Sequence, residues 1–196
     1  MSEERPIVAV LAGGAGSRIG GAKPAVELAG RPLIAYPLAA AKGAGLEAIV
    51  VAKLGTPLPD LTVAVVEESD PLVHPLAGVL AALEANPRRA VIALACDLPF
   101  VPAALLSELG RVEGNSAVEA AGRLQPLIAR YEPATASAIR TALCRGEGAT
   151  PLLERLEPRV IRGAELESFG EPEWIAFNVN TPEQLAEAES RLASLT

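Results

Sequence analysis

The chain has 196 residues, 50% of them hydrophobic and only 3% aromatic, with a net charge of −7, two cysteines and one histidine. One histidine and two distant cysteines cannot build a four-ligand zinc site, and three Phe, two Tyr and one Trp on an acidic chain exclude the cationic stacking grooves that hold long nucleic acid. The length suits one domain, and a chain of this size buries about 70% of its unfolded surface without a disulfide or a structural metal.

The opening Met-Ser-Glu-Glu-Arg is acidic where a secretory signal would be basic. The longest later apolar run, residues 90–106, is interrupted by Asp97, Pro99 and Pro102, so no membrane span is expected. Cys96 and Cys144 form no CxxC and fit a reducing compartment, and the expected location is the cytoplasm. Residues 7–12 form a continuous apolar run of strand length ended by Gly13 and Gly14. A helix is expected over 31–42, then strands over 48–52 and 61–67, a helix over 74–85 and a strand over 90–96. Unbroken apolar strands alternating with helices indicate a largely parallel sheet covered on both faces.

Beyond Pro102 the pattern changes. A short helix to Leu109 precedes two half-polar strands, 116–120 and 124–131, spaced as a hairpin. Helices over 133–145 and 150–156 follow, then short strands near 159–161 and 174–177. Thr181 and Pro182 mark the N-cap and first position of a final helix running to about Leu192. The expected architecture is α/β: a single-domain, Rossmann-like three-layer sandwich over 1–196, mostly parallel, with an antiparallel excursion in the C-terminal half.

The segment from Leu11 to Lys23, LAGGAGSRIGGAK, follows the first strand, where open α/β sheets place ligands. Gly13, Gly14 and Gly16 let backbone N–H groups converge on an anion, and Arg18 and Lys23 add two cations suited to a polyphosphate. A glycine-rich turn with solvated charges is the plainer reading. Lys23 follows Ala22 and precedes Pro24, so this is no P-loop. Gly14, Gly16 and Gly20 have the wrong last gap for a dinucleotide fingerprint, and the second strand ends in Ala52-Lys53 instead of a ribose-binding acid.

Asp97 immediately follows the fourth apolar strand, so its carboxylate emerges on the same sheet edge. A lone carboxylate there suits Mg2+, which takes one or two carboxylates plus substrate phosphates; a turn aspartate before Pro99 is the plainer alternative. Cys96 reads as a small core residue. Asn180, ahead of the final helix, serves either a metal or phosphate, or the helix cap. Gly78 opens a helix where a base or ribose could approach closely, and His74 reads as structural or peripheral.

This set lacks an acid–base pair, which matters for the chemistry. A phosphate oxygen is already anionic at neutral pH, so transfer of a nucleotidyl group to a phosphate acceptor needs alignment and charge neutralisation instead of a general base. There is no G-x-S-x-G elbow for a serine hydrolase.

The motifs also resemble a family. LAGGAGSRIGGAKP with ELAGRPLI, then HPLAG, ACDLPFV, LQPLIARY and FNVNTPEQL, resemble in order the blocks of the MobA-like nucleotidyltransferases, and the later blocks resemble the molybdenum cofactor guanylyltransferases among them. The resemblance spans nearly the whole chain. It implies transfer of GMP from GTP to the terminal phosphate of molybdopterin, with Mg2+ and release of pyrophosphate. It implies that Leu11, Ala12 and Gly13 line the nucleotide, that Lys23 contacts phosphates and that Asp97 binds Mg2+. Glu68 falls where the family has an acid near guanine, Lys53 where it often has Asn, and Asn178 and Asn180 match the NxNTP block. Gln125 and Pro126 fall in the segment that approaches the acceptor, which divides the chain into a nucleotide-binding half, 1–101, and an acceptor-binding half, 102–196.

The sequence departs from the family at several points. The Gly14–Lys23 gap is one residue shorter than GGxxxRxGGxDK, Ala22 stands where Asp is common, and His74 replaces a frequent Gly. Arg18, Lys23 and Asp97 remain as the catalytic candidates. Other bases or acceptors stay open, namely a molybdopterin cytidylyltransferase or a cobinamide-phosphate guanylyltransferase, as does a non-catalytic nucleotide-binding regulator. The expected partners are small molecules, with no nucleic acid or membrane, on a monomer or weak homo-oligomer.

Overall fold

The computed structural model describes residues 4–13, 23–69 and 74–195. Its strands are β1 (Ile7–Leu11), β2 (Glu27–Leu28), β3 (Arg31–Pro32), β4 (Glu47–Lys53), β5 (Ala64–Glu68), β6 (Val91–Ala95), β7 (Ser116–Ala120), β8 (Arg123–Tyr131) and β9 (Arg159–Ile161). The helices are α1 (Ala35–Gly43), α2 (Pro75–Ala85), α3 (Ala103–Arg111), α4 (Ala136–Arg145), α5 (Ala149–Arg155), α6 (Ala164–Glu167), α7 (Pro172–Ile175) and α8 (Pro182–Ser194). Seven strands form one sheet in the order β5-β4-β1-β6-β8-β7-β9. The β5-β4-β1-β6 run is parallel, β8 is antiparallel to both β6 and β7, and β9 returns parallel to β7.

Alternation along the strands explains the two helical layers. In β1, Val8 and Val10 face a core that includes Ile34, Leu105, Leu106 and Leu109 from the α1/α3 side. Ile7 and Ala9 face the opposite core, with Leu76, Val79 and Leu83 of α2 and Ile139 of α4. Both faces are covered, so the strand reads as a continuous apolar run. Every residue of β6 is likewise buried, and each fully buried Val, Leu or Ile contributes roughly 1.5–3 kcal/mol. Among the described residues no helix is long and apolar enough to cross a membrane.

Two expected elements are corrected. The helix expected from Arg31 begins at Ala35, because Ala29 and Gly30 both take positive φ (48° and 74°) and turn the chain into a small hairpin, pairing Leu28 with Arg31. The strand expected over 174–177 is absent; Pro172 at the first helical position starts α7 instead. Trp174 lies edge-on to Phe100 at 5.1 Å and against Phe177 at 4.8 Å, so these aromatics fill a side cluster instead of a sheet position. The final helix matches its signals: Thr181 caps it and Pro182 opens it.

Candidate active site

Four parallel strands end together, and their registers bring distant residues to one edge. Leu11 pairs with Val51 and Ala95, and Lys53 pairs with Glu68. The Cys96 N–H then donates to the Leu11 carbonyl at 3.1 Å, which carries Asp97 past the end of β6 on the same edge. Leu11, Gly13, Lys23, Lys53, Glu68, Gly78, Asp97 and Asn178 line one cavity of about 190 Å³ there.

At one end of it Lys23 holds two acceptors. Its Nζ contacts Asp97 Oδ2 and donates to Asn180 Oδ1 at 2.5 Å. Asn180 is held from behind, since its N–H donates to Gln184 Oε1 at 2.9 Å while the Gln184 N–H donates to Thr181 Oγ1 at 3.3 Å. This is a variant of the reciprocal capping arrangement at a helix start. The Val179 N–H donates to the Asp97 carbonyl, which locks the 178–180 segment beside Asp97. Asp97 Oδ1 is buried and has no hydrogen-bond partner among the described residues. A carboxylate with one oxygen on Lys23 and the other unpartnered, beside an amide oxygen on the same cation, is a hard-oxygen donor set of the kind Mg2+ takes. No cluster of three or more His, Cys, Asp or Glu able to hold a metal occurs among the described residues, so such a site would draw its remaining ligands from substrate and water.

At the other end Glu68 is 7% exposed, with Lys53 Nζ 3.4 Å from its Oε1. Two glycines stand close around it. A Cβ at Gly13 would stand 3.0 Å from Glu68 Oε2, and one at Gly78 would stand 3.3 Å from Leu11 and 3.4 Å from that same oxygen. The two glycines leave space flanking a buried carboxylate.

Other sequence candidates fall elsewhere. The Ala12 side chain is buried in the α1/α3 core, and its N–H donates to the Val51 carbonyl at 2.8 Å, so it shapes the edge through backbone alone. Gly14, Gly16 and Arg18 lie outside the described residues. His74 lines the cavity wall, but its Nδ1 accepts from the Leu76 N–H at 3.2 Å as the N-cap of α2, a structural role. Cys96 also lines the cavity; burial, and then the Asp97 charge, push its thiol up to about 12, which leaves it protonated and unreactive.

A second cavity of about 500 Å³ adjoins the first and shares Pro75, Leu127 and Asn178 with it. Gln125 and Pro126 line it, as do Arg123, Thr150 and Pro151. The sequence reading missed Leu127, which lies between the two cavities. Nothing in an apolar strand position distinguishes a wall residue from a core residue.

The arrangement resembles known proteins in both sequence and fold. The MobA-like NTP transferase domain matches residues 8–160. The molybdenum cofactor guanylyltransferase of Cereibacter sphaeroides is 36% identical over 193 residues, covering 93% of this chain and 95% of that protein. That of Mesorhizobium japonicum is 29% identical, covering 95% and 96%. The crystal structure of molybdopterin-guanine dinucleotide biosynthesis protein A from Archaeoglobus fulgidus superposes with a TM-score of 0.79 at 26% identity, covering 96% of this chain and 99% of that one. With the profile match spanning most of its length, and the sheet edge built as described, this chain belongs to the MobA-like NTP transferase family and is a nucleotidyltransferase.

Proposed function

We propose that the chain transfers GMP from GTP to the terminal phosphate of molybdopterin cofactor, releasing pyrophosphate, with Mg2+ at Asp97. The observation that carries the base assignment is the Glu68 carboxylate, buried between Gly13 and Gly78. A carboxylate accepts from two adjacent donors at once, and guanine alone among the common bases offers them, as N1–H and the exocyclic amine. Lys53, beside Glu68, is the donor for guanine O6. Cytosine and adenine offer one exocyclic amine with no neighbouring N–H.

The triphosphate then runs from the base toward Lys23 and Asp97, and the acceptor phosphate comes from the second cavity, past Asn178. One acceptor oxygen, already anionic, bonds to the α-phosphorus as the α–β bridging P–O bond breaks and pyrophosphate leaves. Lys23 neutralises phosphate charge, Asn180 holds Lys23 in place, and Asp97 is the ligand that would hold the metal. When bound, Mg2+ supplies Lewis-acid stabilisation of the charge that builds on the phosphates. This chain's own contribution is orientation and electrostatics, with no proton to move. On this reading residues 1–101 hold the nucleotide and 102–196 the acceptor.

The test is pyrophosphate release from GTP, CTP and ATP by the purified protein with Mg2+, with and without molybdopterin. Release from GTP that depends on molybdopterin is expected. Preference for CTP would refute the guanine assignment, and release independent of molybdopterin would refute the acceptor.

A further inference from the structure

The ladder between β7 and β8 breaks at one point. Ala117 pairs with Ala129, but its neighbour Val118 pairs with Gln125, so Pro126, Leu127 and Ile128 stand between consecutive rungs without a β7 partner. On the other side, β6 pairs Leu94 with Ile128 and its register with β8 ends there. The strand therefore leaves both ladders at Pro126 and Leu127. Bulges of this kind bend a strand and re-aim its side chains, and Pro126 has no N–H to give to either neighbour.

Leu127 is the side chain that this bulge re-aims. It lines both cavities and packs against both core layers. Gln125 and Pro126 line the second cavity beside it. A segment that has lost its ladder partners needs another restraint to keep one conformation. Tyr131 supplies one. It is fully buried in the α2/α4 core layer, and its phenol donates to the Pro126 carbonyl at 2.9 Å, spanning the bulge from five residues along the same strand. Burial raises the phenol's pKa, which keeps it protonated as the donor in this bond.

We propose that Tyr131 is a positioning residue for the transfer reaction: by pinning the Pro126 carbonyl it fixes Gln125, Pro126 and Leu127 as the wall that receives the phosphate acceptor. This rests on the reading of the second cavity as the acceptor site. Tyr131 touches neither cavity and acts only through the bulge. Its effect therefore falls on the acceptor side, because the nucleotide end is built from β1, β4, β5 and α2. With the phenol removed, the bulge samples other conformations and the acceptor must order it on binding, so binding weakens without new contacts being lost.

The test compares Tyr131→Phe with Tyr36→Phe. Tyr36, the chain's other tyrosine, also donates its phenol to a backbone carbonyl, that of Leu28 at 2.6 Å, in a separate cluster on the sheet's other side. Three quantities are measured for each protein: KM for molybdopterin, the calorimetric Kd for GTP, and amide hydrogen exchange over residues 124–128. Tyr131→Phe should raise the acceptor KM about fivefold, the ratio expected for one ordinary hydrogen bond, and leave the GTP Kd within about twofold. Exchange over 124–128 should accelerate. Tyr36→Phe should lower Tm without moving acceptor KM or exchange at 124–128. An unchanged acceptor KM in Tyr131→Phe, unchanged exchange at 124–128, or a parallel KM rise in both variants would overturn the proposal. If the wild-type protein transfers nothing to molybdopterin, the acceptor reading fails, and the role in transfer fails with it; exchange at 124–128 then still decides whether Tyr131 pins the bulge.

Discussion

Gly78→Ala separates stability from binding within one residue. Gly78 lies in the first turn of α2, in the cavity wall, and an added Cβ would stand 3.3 Å from Leu11 Cδ2 and 3.4 Å from Glu68 Oε2. Alanine is worth up to about 1 kcal/mol over glycine inside a helix. Against this, the Leu11 contact is a few tenths of an ångström too close, and the end of that flexible side chain can give way into the cavity. The net change is between about 0 and +1 kcal/mol, so Tm should be unchanged or higher by up to about 4 °C for a chain of this size. Binding should move the other way. The new methyl stands in a space of about 190 Å³, directly beside the carboxylate assigned to the base. GTP affinity should fall at least about tenfold, or 1.4 kcal/mol. Thermal unfolding without nucleotide and calorimetric GTP titration, run side by side, give both numbers. Undiminished GTP affinity would refute the placement of the base against Glu68, and a large fall in Tm would refute the reasoning about the helix.

Five further outcomes follow from the same geometry. Asp97→Ala should lower turnover by about a thousandfold or more, since several kcal/mol of charge stabilisation at the phosphates is lost; near-normal pyrophosphate release would remove its metal role. Lys23→Ala should weaken GTP binding and also lower Tm, because Asp97 is left buried without its cation, and unchanged affinity in a titration would count against Lys23 as a phosphate ligand. In a native-state thiol titration at pH 8, exposed Cys144 should react and buried Cys96 should not, with both reacting after denaturation. Because burial raises the Cys96 thiol from an ordinary 9.0 to about 12, its contribution to stability is complete below pH 9 and is lost as pH rises toward 12, where the unfolded chain alone ionises. Thr181→Ala removes the acceptor for the Gln184 N–H and should cost about 1 kcal/mol, or about 2–4 °C in Tm, a loss that differential scanning calorimetry would detect.

The fold was legible because its strands are buried on both faces. Residues of β1 and β6 alternate between two cores, so neither strand shows a polar period, and the apolar runs mark them directly. The end of the fourth apolar strand also located Asp97 on the ligand edge, since parallel strands in a right-handed α/β sheet finish together; Lys53 and Glu68 were picked out by the family resemblance alone, and the β4–β5 register brings them to that same edge. Pair contacts were not legible. Lys23 meets Asp97 across 74 residues and Asn180 across 157, and the sequence left Asn180 equally suited to capping; in the structure Thr181 caps the helix, which leaves the Asn180 amide oxygen for Lys23. The Pro126–Leu127 bulge escaped for a different reason. A proline inside an apolar strand marks a break in the ladder, but it does not say which side chain the break turns toward a cavity.

Charge balance within the cavity explains how an acidic chain can hold an anionic substrate. Both cations that the described residues bring to the cavity are paired with its own carboxylates: Lys23 with Asp97, and Lys53 with Glu68. Lys53 and Glu68 join the ends of β4 and β5, and Lys23, in the turn at 23–25, reaches Asp97 just past the end of β6, so the four charges are gathered at the sheet edge before any substrate arrives. The charges that the described residues bring to the cavity are also close to balanced, whatever the net charge of −7 on the chain as a whole, so the long-range field of the protein is a weak guide to what it binds. On the proposed function, a guanine edge would present donors to Glu68 and an acceptor to Lys53, so the pair would open into two contacts without leaving either charge buried alone. A base that satisfied only one member would strand the other, and that penalty, more than any added attraction, is what gives such a site its selectivity.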